Sequence, residues 1–406
     1  MATQLGPDFD KLTVAAAISN LGDGVMGAAF PLLVASLTRD PLLVSGATLA
    51  GRLPWFLFAL ISGALVDRMD RRRVMVVTDL ARGVGVGILA WGISTGDVGL
   101  VPIYLVAFGL GVAETFFDTS AEAFTPRLVG EADLPAANGR LQGIEWVGGS
   151  FVGPPVGAAL FVVAASLPFF LNAVSFAMAA LFIALIPGSF RSARTAPTTL
   201  RSDILAGLRW LWAQRVVRTL SLMAGTTNFF TFGIIAIFVL YVQDILAVSD
   251  AVYGVLLASM GLGGLLGALV APRMVAAIGS GNTLRVSVGL QVIATLVVGS
   301  VSNAWIVGVV LACYGFLIIA WNVVSVSLRQ GLTPDEMRGR VAGAARLLAW
   351  GSQPLGALMG GWVAATLGLR GPFFVAAAAF AVMLISTWTV ISNQSIEEAR
   401  SGQPVT

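Results

Sequence analysis

The sequence has no histidine, one cysteine and one lysine, and each scarcity excludes a kind of chemistry. A single cysteine, Cys313, cannot form an intrachain disulfide. Without histidine, proton transfer inside the chain depends on carboxylates. The sequence also lacks a recognisable nucleophile–base pair, a metal-ligand cluster and a nucleotide-binding motif. We therefore predict that the chain is not an enzyme, holds no metal or cofactor and does not consume ATP directly.

Charge is equally scarce, since 11% of the residues are charged and 57% are hydrophobic. Soluble domains carry about 25% charged residues, so this chain could not cover a water-facing surface. Apolar runs of about 18 or more residues recur, and each is long enough to cross a bilayer as a helix. The runs lack the alternation of a barrel strand. The predicted fold class is an all-α polytopic membrane protein in a lipid bilayer. The arginines are scattered over short loops, so nucleic-acid binding is not indicated.

Glycine, proline, aspartate and arginine punctuate the chain into twelve predicted transmembrane helices. These lie at residues 12–37, 43–66, 74–94, 99–122, 138–163, 167–187, 218–245, 251–276, 283–302, 304–328, 340–366 and 370–392. A long polar stretch separates the sixth helix from the seventh. The predicted domains are therefore a six-helix bundle at 1–187, a linker at 188–217 and a second six-helix bundle at 218–406.

The arginines predict the orientation, because cytoplasmic loops carry an excess of basic residues. The loops on one face hold most of them, including Arg71 and Arg209, whereas the opposite face holds only Arg39 and Arg370. The arginine-rich face also includes the 188–217 linker and both termini. We therefore expect both termini in the cytoplasm and the protein in the inner membrane of a bacterium.

The two predicted bundles repeat one another in sequence. The segment "PPVG" at 154–157 corresponds to "QPLG" at 353–356, and "PFFLNAVSF" at 168–176 corresponds to "PFFVAAAAF" at 372–380. An even number of spans in each half gives both halves the same orientation. Parallel repeats of this kind predict a binding site near the midplane, between the halves.

The loop after the second span reads "GALVDRMDRRR", residues 63–73. It resembles the signature of the major facilitator superfamily, Gly-x-Leu-(Ala)-Asp-Arg-x-(Gly)-Arg-(Arg/Lys). The matching residues are Gly63, Asp67, Arg68, Arg71 and Arg72. Gly63 would permit a close helix contact, and Asp67 would accept hydrogen bonds at a helix N-terminus. The resemblance implies two six-helix repeats with a cytoplasmic ion-pair gate; a loop that only fixes topology is the alternative.

A second pattern, "GPPVG" at 153–157, resembles the proline–glycine signature of the superfamily's antiporters, although it ends in Gly-Ala and not Gly-Gly. Its members are Gly153, Pro154, Pro155 and Gly157. An ordinary helix kink is the other interpretation. The segments "FFDTSAEAFTPRLV" at 116–129 and "LRQGLTPDEMRGRV" at 328–341 are similar to the branch that contains the enterobactin exporter and macrolide-type efflux pumps.

Three carboxylates follow one another at four-residue steps in the fourth span: Glu114, Asp118 and Glu122. Each step advances about 400°, so the acids stay near one helix face while they rise about 12 Å in all. A charge at the bilayer centre costs at least about 2.5 kcal/mol, which predicts that the stripe faces the interior of the first bundle. Glu122, closest to the cytoplasm, is interpreted as interfacial.

Other charged side chains in the first bundle extend this candidate site. The candidates for proton coupling or substrate contact are Asp23, Arg52, Glu114, Asp118 and Glu145. The competing interpretation is a static ion pair between one of these acids and Arg52 or Arg82. Arg82 is also expected to pair with Asp79, one turn earlier in the third span.

The second bundle has no acid near the midplane. Its cavity candidates are Asn228, Asn322, Arg346 and Gln353. Arg346 is also a candidate for the cytoplasmic gate. Phe229 and Phe230 are candidates for a drug-like pocket, with ordinary packing as the alternative.

These patterns and the resemblance predict a secondary active transporter. The first hypothesis is a proton-coupled exporter, or antiporter, of amphiphilic small molecules such as antibiotics or siderophores, which works by alternating access as a monomer. Two alternatives stay open. One is a facilitator or flippase for a lysolipid or nutrient, which would not depend on a pH gradient. The other is a membrane sensor that binds ligand without cycling.

Overall fold

A computed structural model of the protein describes residues 5–66, 68–188, 190 and 200–401, and every regular element within them is a helix. The α-helices are α1 (Pro7–Leu37), α2 (Pro41–Val66), α3 (Arg71–Thr95), α4 (Leu100–Leu128), α5 (Leu134–Glu145), α6 (Gly153–Val163), α7 (Leu167–Ala184), α8 (Leu200–Ala213), α9 (Arg215–Leu240), α10 (Asp250–Ile278), α11 (Ser280–Ser300), α12 (Ala304–Leu332), α13 (Arg338–Leu367), α14 (Gly371–Thr387) and α15 (Asn393–Ser401).

Nine helical segments of the described chain are long and apolar enough to cross a membrane. Helices α2, α13 and α14 fall where three further spans are predicted. Each predicted span overlaps a helix of the structure, and the ends agree within a few residues. Membrane-spanning length is therefore present throughout the described chain, while the total of twelve spans stays a prediction.

Local chemistry explains where helices begin and end. The Asp70 carboxylate accepts a hydrogen bond from the backbone N–H of Arg73 at 3.2 Å and so caps α3. The same helix ends at Gly96, whose φ of 79° lies in the left-handed region that favours glycine. The Asn303 side chain accepts from Trp305 N–H at 2.9 Å and caps α12. These caps satisfy backbone groups that helix ends leave without partners.

The chain divides into two compact units. The first comprises Met1–Arg39, Gly46–Pro197 and Val248–Ala258, and the second comprises Asp40–Ser45, Thr198–Ala247 and Ser259–Thr406. Buried Phe9 and Phe124 belong to the core of the first unit, and buried Leu220 and Phe380 belong to the core of the second. The predicted boundaries at 187 and 218 stay predictions.

Some helical features have no counterpart among the predicted spans. Helix α5 continues into a π-helical segment, Trp146–Val152, before α6 begins. Such insertions are frequent at functional sites. Helix α8 lies within the predicted 188–217 linker, of which residues 191–199 are outside the described residues. The linker is therefore partly helical, which its polar composition did not indicate.

Candidate substrate and proton site

The acidic stripe of α4 lies beside α2 in the first unit. Arg52 places Nη1 3.7 Å from Oε1 of Glu114, and the two side chains are 40% and 39% exposed. Exposed pairs of this kind contribute about 0–1 kcal/mol, because solvent screens the charges. Glu114 therefore has a cationic partner that it can leave at little cost in free energy.

A second ion pair is buried within α3, and its arginine also approaches an acid of α1. Arg82 bonds the Asp79 carboxylate through Nη2, and its Nη1 lies 4.0 Å from Oδ2 of Asp23. The guanidinium also lies over the rings of Phe117 and Phe176, 4.6 and 4.4 Å from their centroids. Asp79 is 0% exposed and Arg82 5%, whereas Asp23 is 45% exposed. Arg82 is a fixed buried cation, and Asp23 is the accessible end of this network.

Asp118 and Glu145 have no such partner in the part of the chain that the structure describes. Both side chains are exposed on the first unit, and within the described part of the chain no basic group comes within ion-pair distance of either carboxylate. Glu114 lies one helical turn from Asp118 on α4, and α4 also packs against α1, which carries Asp23, and α5, which carries Glu145. Negative charges on neighbouring side chains repel one another. A proton or an organic cation would relieve this repulsion.

The "GPPVG" segment packs against α1 directly after Asp23. A Cβ at Gly153 would lie 2.5 Å from Cα of Gly24, and a Cβ at Gly157 would overlap the carbonyl group of Val25. Glycine at both positions lets α6 cross α1 at close range. The antiporter-like pattern therefore fixes the backbone next to a candidate acid.

The two prolines of the pattern occupy the first turn of α6. Pro154 is buried and Pro155 is half-buried. Proline is tolerated there because the first N–H groups of a helix have no intrahelical partner. The two prolines follow the π-helical segment Trp146–Val152, which therefore lies next to the glycine crossing.

The crossing predicts a marked asymmetry between two glycines near Asp23. Gly157→Ala should lower the free energy of unfolding by about 1–3 kcal/mol, because the added methyl group forces the two backbones apart. Gly27→Ala on α1 is the matched control, since a Cβ there meets no described atom within 4 Å. Thermal melting in detergent checks both variants. Equal melting temperatures for the two would contradict the role of Gly157.

The major-facilitator signature ties helix ends of the first unit together. Arg71 is buried and donates to the carbonyl of Ala123 at 3.3 Å, and Arg72 donates to the carbonyl of Ile186. Asp70, where the signature has glycine, also accepts from Phe190 N–H at 3.0 Å. The loop is thus a structural junction as well as a cluster of charge.

Other members of the signature behave differently from the sequence-based expectation. A Cβ at Gly63 would meet no described atom within 4 Å, so the expected close helix contact does not occur there. Arg68 is exposed. Asp67, expected to cap a helix, lies outside the described residues. The cap of α3 is Asp70, which the signature does not include.

The second unit repeats the glycine crossing without the acid. A Cβ at Gly356 would overlap the carbonyl of Phe229, and one at Gly360 would overlap the carbonyl of Gly233. Beside this crossing, Asn228 donates from Nδ2 to the carbonyl of Ala349 at 2.8 Å. Asn228 therefore fixes α9 to α13, whereas Asp23 in the first unit remains exposed.

A groove of about 290 Å³ lies between α9 and α13. It is lined by Ser221, Leu222, Gly225, Thr226, Phe229, Phe230, Leu348 and Ser352. Phe229 and Phe230 are the aromatic candidates from the sequence, and their rings pack edge to face at 5.0 Å. Thr226 and Ser352 were missed, although the i, i+3 spacing from Thr226 to Phe229 indicates a shared helix face.

The remaining second-unit candidates do not line this groove. Asn322 is exposed on α12, and Gln353 is half-buried on α13. Arg346 is exposed, with its guanidinium 5.4 Å from the ring centroid of Trp350. The structure thus brings the acidic candidates of the first unit into one cluster but leaves the polar candidates of the second unit apart.

Apolar helices of spanning length, a repeated glycine crossing and charges held inside the spans define a multi-pass membrane transporter. The chain belongs to the major facilitator superfamily, in the family described as transmembrane secretion effector, whose profile matches residues 6–403. This confirms the predicted all-α membrane fold and the resemblance seen in "GALVDRMDRRR".

Two relatives cover most of the chain. The multidrug efflux pump Tap of Mycolicibacterium fortuitum is 28% identical over 387 residues, which cover 91% of this chain and 92% of Tap. The enterobactin exporter EntS of Escherichia coli O1:K1 / APEC is 28% identical over 347 residues, which cover 83% of this chain and 80% of EntS. The predicted similarity to that branch is confirmed, and the chain is a transporter of small molecules and not an enzyme.

Solved structures share the fold. The nucleoside transporter NupG superposes with a TM-score of 0.76 at 10% identity and covers 94% of this chain and 98% of its own. A bacterial homologue of the iron transporter ferroportin gives a TM-score of 0.77 at 16% identity and covers 95% and 98%. At these identities the likeness concerns the fold alone.

Proposed function

We propose that the protein exports amphiphilic organic cations across a bacterial inner membrane in exchange for protons. The names of Tap and EntS, a multidrug efflux pump and a siderophore exporter, support export of an amphiphilic molecule. Alternating access is the mechanism that goes with the fold. That the coupling ion is a proton and that the substrate is a cation are both inferred from the charged residues of the candidate site.

One observation supports cation and proton exchange: in the cluster around Arg82 and Glu114, carboxylates outnumber guanidinium groups among the described residues. The acids are Asp23, Asp79, Glu114, Asp118 and Glu145, and the bases are Arg52 and Arg82. The two arginines are already engaged by carboxylates, so an anionic substrate would have to displace an acid from one of them. A cationic substrate instead meets two acids without a basic partner among the described residues.

The same acids provide a means of coupling. A carboxylate that is neutral with a proton bound and negative without one holds either a proton or a cation, and each excludes the other by charge. A one-for-one exchange of a proton for a monovalent cation moves no net charge, so the pH gradient drives it, and one pH unit supplies about 1.4 kcal/mol, or about tenfold accumulation. No nucleotide is needed to drive such export.

Flux into proteoliposomes with an imposed pH gradient tests the proposal. The purified protein is screened with cationic dyes, macrolides, tetracyclines and siderophores. We expect uptake of cationic amphiphiles that collapses when the gradient is dissipated, and little uptake of anionic siderophores. Flux that persists without a gradient would support a facilitator. Ligand binding without any flux would support a sensor.

We further propose that α8 and both termini face the cytoplasm and that the working unit is a monomer. In a Cys313→Ala background, Ala213→Cys at the end of α8 should resist impermeant thiol reagents in intact cells. Thr95→Cys at the end of α3 should react, because the arginine distribution predicts that this end lies outside. Both positions are exposed, so burial does not confound the comparison. Faster labelling at Ala213→Cys would reverse the orientation.

A further inference from the structure

Helix α8 has an exposed face that the transport proposal does not use. Leu205, Arg209 and Trp212 are spaced four and three residues apart, so they share one side of the helix, and all three are exposed. The opposite side packs against α13, where Gly207 lies against the backbone of Arg340. The helix is therefore fixed on one side and presents a cation between two apolar groups on the other.

Tryptophans of the second unit indicate where the membrane surfaces lie. At the end where α11 begins and α14 finishes, Trp388 is half exposed, and the Arg285 guanidinium lies 4.3 Å from its ring centroid. At the opposite end, Trp305 and Trp362 are 84% and 60% exposed. Exposed tryptophans at both ends of a bundle are typical of the headgroup level on each side.

Helix α8 lies at the level marked by Trp388. Only Gln214 separates α8 from α9, and successive spans of this unit alternate in direction, so α9 begins at the end where α14 finishes. The segment Arg215–Ile245 has 31 residues, about 46 Å as a helix, which exceeds a hydrocarbon core of about 30 Å. Its first turn therefore reaches the headgroup layer, and α8 adjoins that turn.

We infer that the exposed face of α8 is a binding surface for anionic phospholipid headgroups. Arg209 pairs with the lipid phosphate, while Leu205 and Trp212 extend into the boundary between headgroups and acyl chains, as in other interfacial helices. Arg218 donates from Nη1 to the carbonyl of Trp212 at 2.9 Å and holds the end of the helix. This surface is independent of substrate export and proton coupling, so it stands even where those proposals fail.

Retention of lipid by the full-length protein tests the inference. Native mass spectrometry is used to compare phosphatidylglycerol with phosphatidylcholine, each titrated into the detergent-solubilised protein. We expect preferential retention of phosphatidylglycerol, a loss of about fivefold in its affinity for Arg209→Gln, and no preference for the Arg209→Gln, Trp212→Ala double variant. Binding of phosphatidylcholine and melting without added lipid should stay unchanged, because both side chains are exposed.

The matched control is Arg338→Gln on α13, at the same end of the unit. Arg338 already pairs with Asp335 at 2.8 Å, so its loss should leave phosphatidylglycerol retention unchanged. Unchanged retention by the Arg209→Gln, Trp212→Ala double variant would overturn the inference. An equal loss for Arg338→Gln would show diffuse charge and no defined surface. Displacement of the lipid by inorganic phosphate would show an anion site, which would also overturn it.

Discussion

Arg82→Met is expected to lower the free energy of unfolding by about 3–5 kcal/mol, because it leaves a buried carboxylate without its cation. Asp79 is fully buried, and Arg82 is its ion-pair partner. The substitution also removes the guanidinium from its contacts with the rings of Phe117 and Phe176. Chemical or thermal unfolding in detergent measures the loss.

A double variant and a second pair distinguish this account from a general effect of removing arginine. Asp79→Asn combined with Arg82→Met should recover much of the stability, since neither partner then leaves a buried charge. Arg52→Met should cost less than about 1 kcal/mol, because Arg52 and Glu114 are both half-exposed. A double variant that melts below Arg82→Met, or an Arg52→Met loss of the same size, would contradict the assignment.

The contrast between these pairs shows which parts of the site a sequence predicts. Asp79 and Arg82 are three residues apart on one helix, so helical geometry alone predicts that they meet. Arg52 and Glu114 lie on different helices, and their pairing depends on how α2 and α4 are rotated about their axes. The sequence therefore identified both Arg52 and Arg82 as possible partners for the acids, but it could not show which arginine pairs with which acid.

The sequence predicted the fold more completely than it predicted the site. Apolar length and punctuation predicted spans that overlap the observed helices, because lipid requires each backbone polar group to be satisfied within its own segment. The π-helical segment Trp146–Val152 was not predicted, because it depends on a shift of hydrogen-bond register that no particular residue type indicates. The sequence did not predict helix α8. Its apolar face is covered by α13 and its exposed face carries arginine, so the segment contains no continuous apolar run.

Comparison of the two units distinguishes residues that pack the helices from a residue that we assign to transport. Both units use glycines to bring two helices together, at Gly157 against Val25 and at Gly356 against Phe229. The repeat in sequence, "PPVG" and "QPLG", falls on this crossing. Among the described residues, only the first unit places an acid, Asp23, beside it. Shared residues thus maintain the helix packing, and the charge that differs between the units is the part attributed to transport.

Asp118→Asn is expected to abolish substrate accumulation driven by a pH gradient. A gradient of about one pH unit supplies about 1.4 kcal/mol per proton, or about tenfold accumulation, and the variant should fall to equilibration. Counterflow of substrate should persist, because exchange needs no net change in protonation. Asparagine has a similar size and no cationic partner is lost, so the melting temperature should stay close to that of the wild type.

Neighbouring acids on the same helix serve as controls for this result. Glu122→Gln, one turn further along α4, should retain full proton-driven flux, because Glu122 lies at the predicted interface. Glu114→Gln should reduce proton-driven flux by an intermediate amount, because Glu114 forms an ion pair with Arg52 at 3.7 Å. A folded Asp118→Asn protein that still accumulates substrate about tenfold per pH unit would exclude Asp118 as the coupling group. The role would then pass to Glu145, the other acid of this cluster without a basic partner among the described residues, and Glu145→Gln would have to abolish the accumulation.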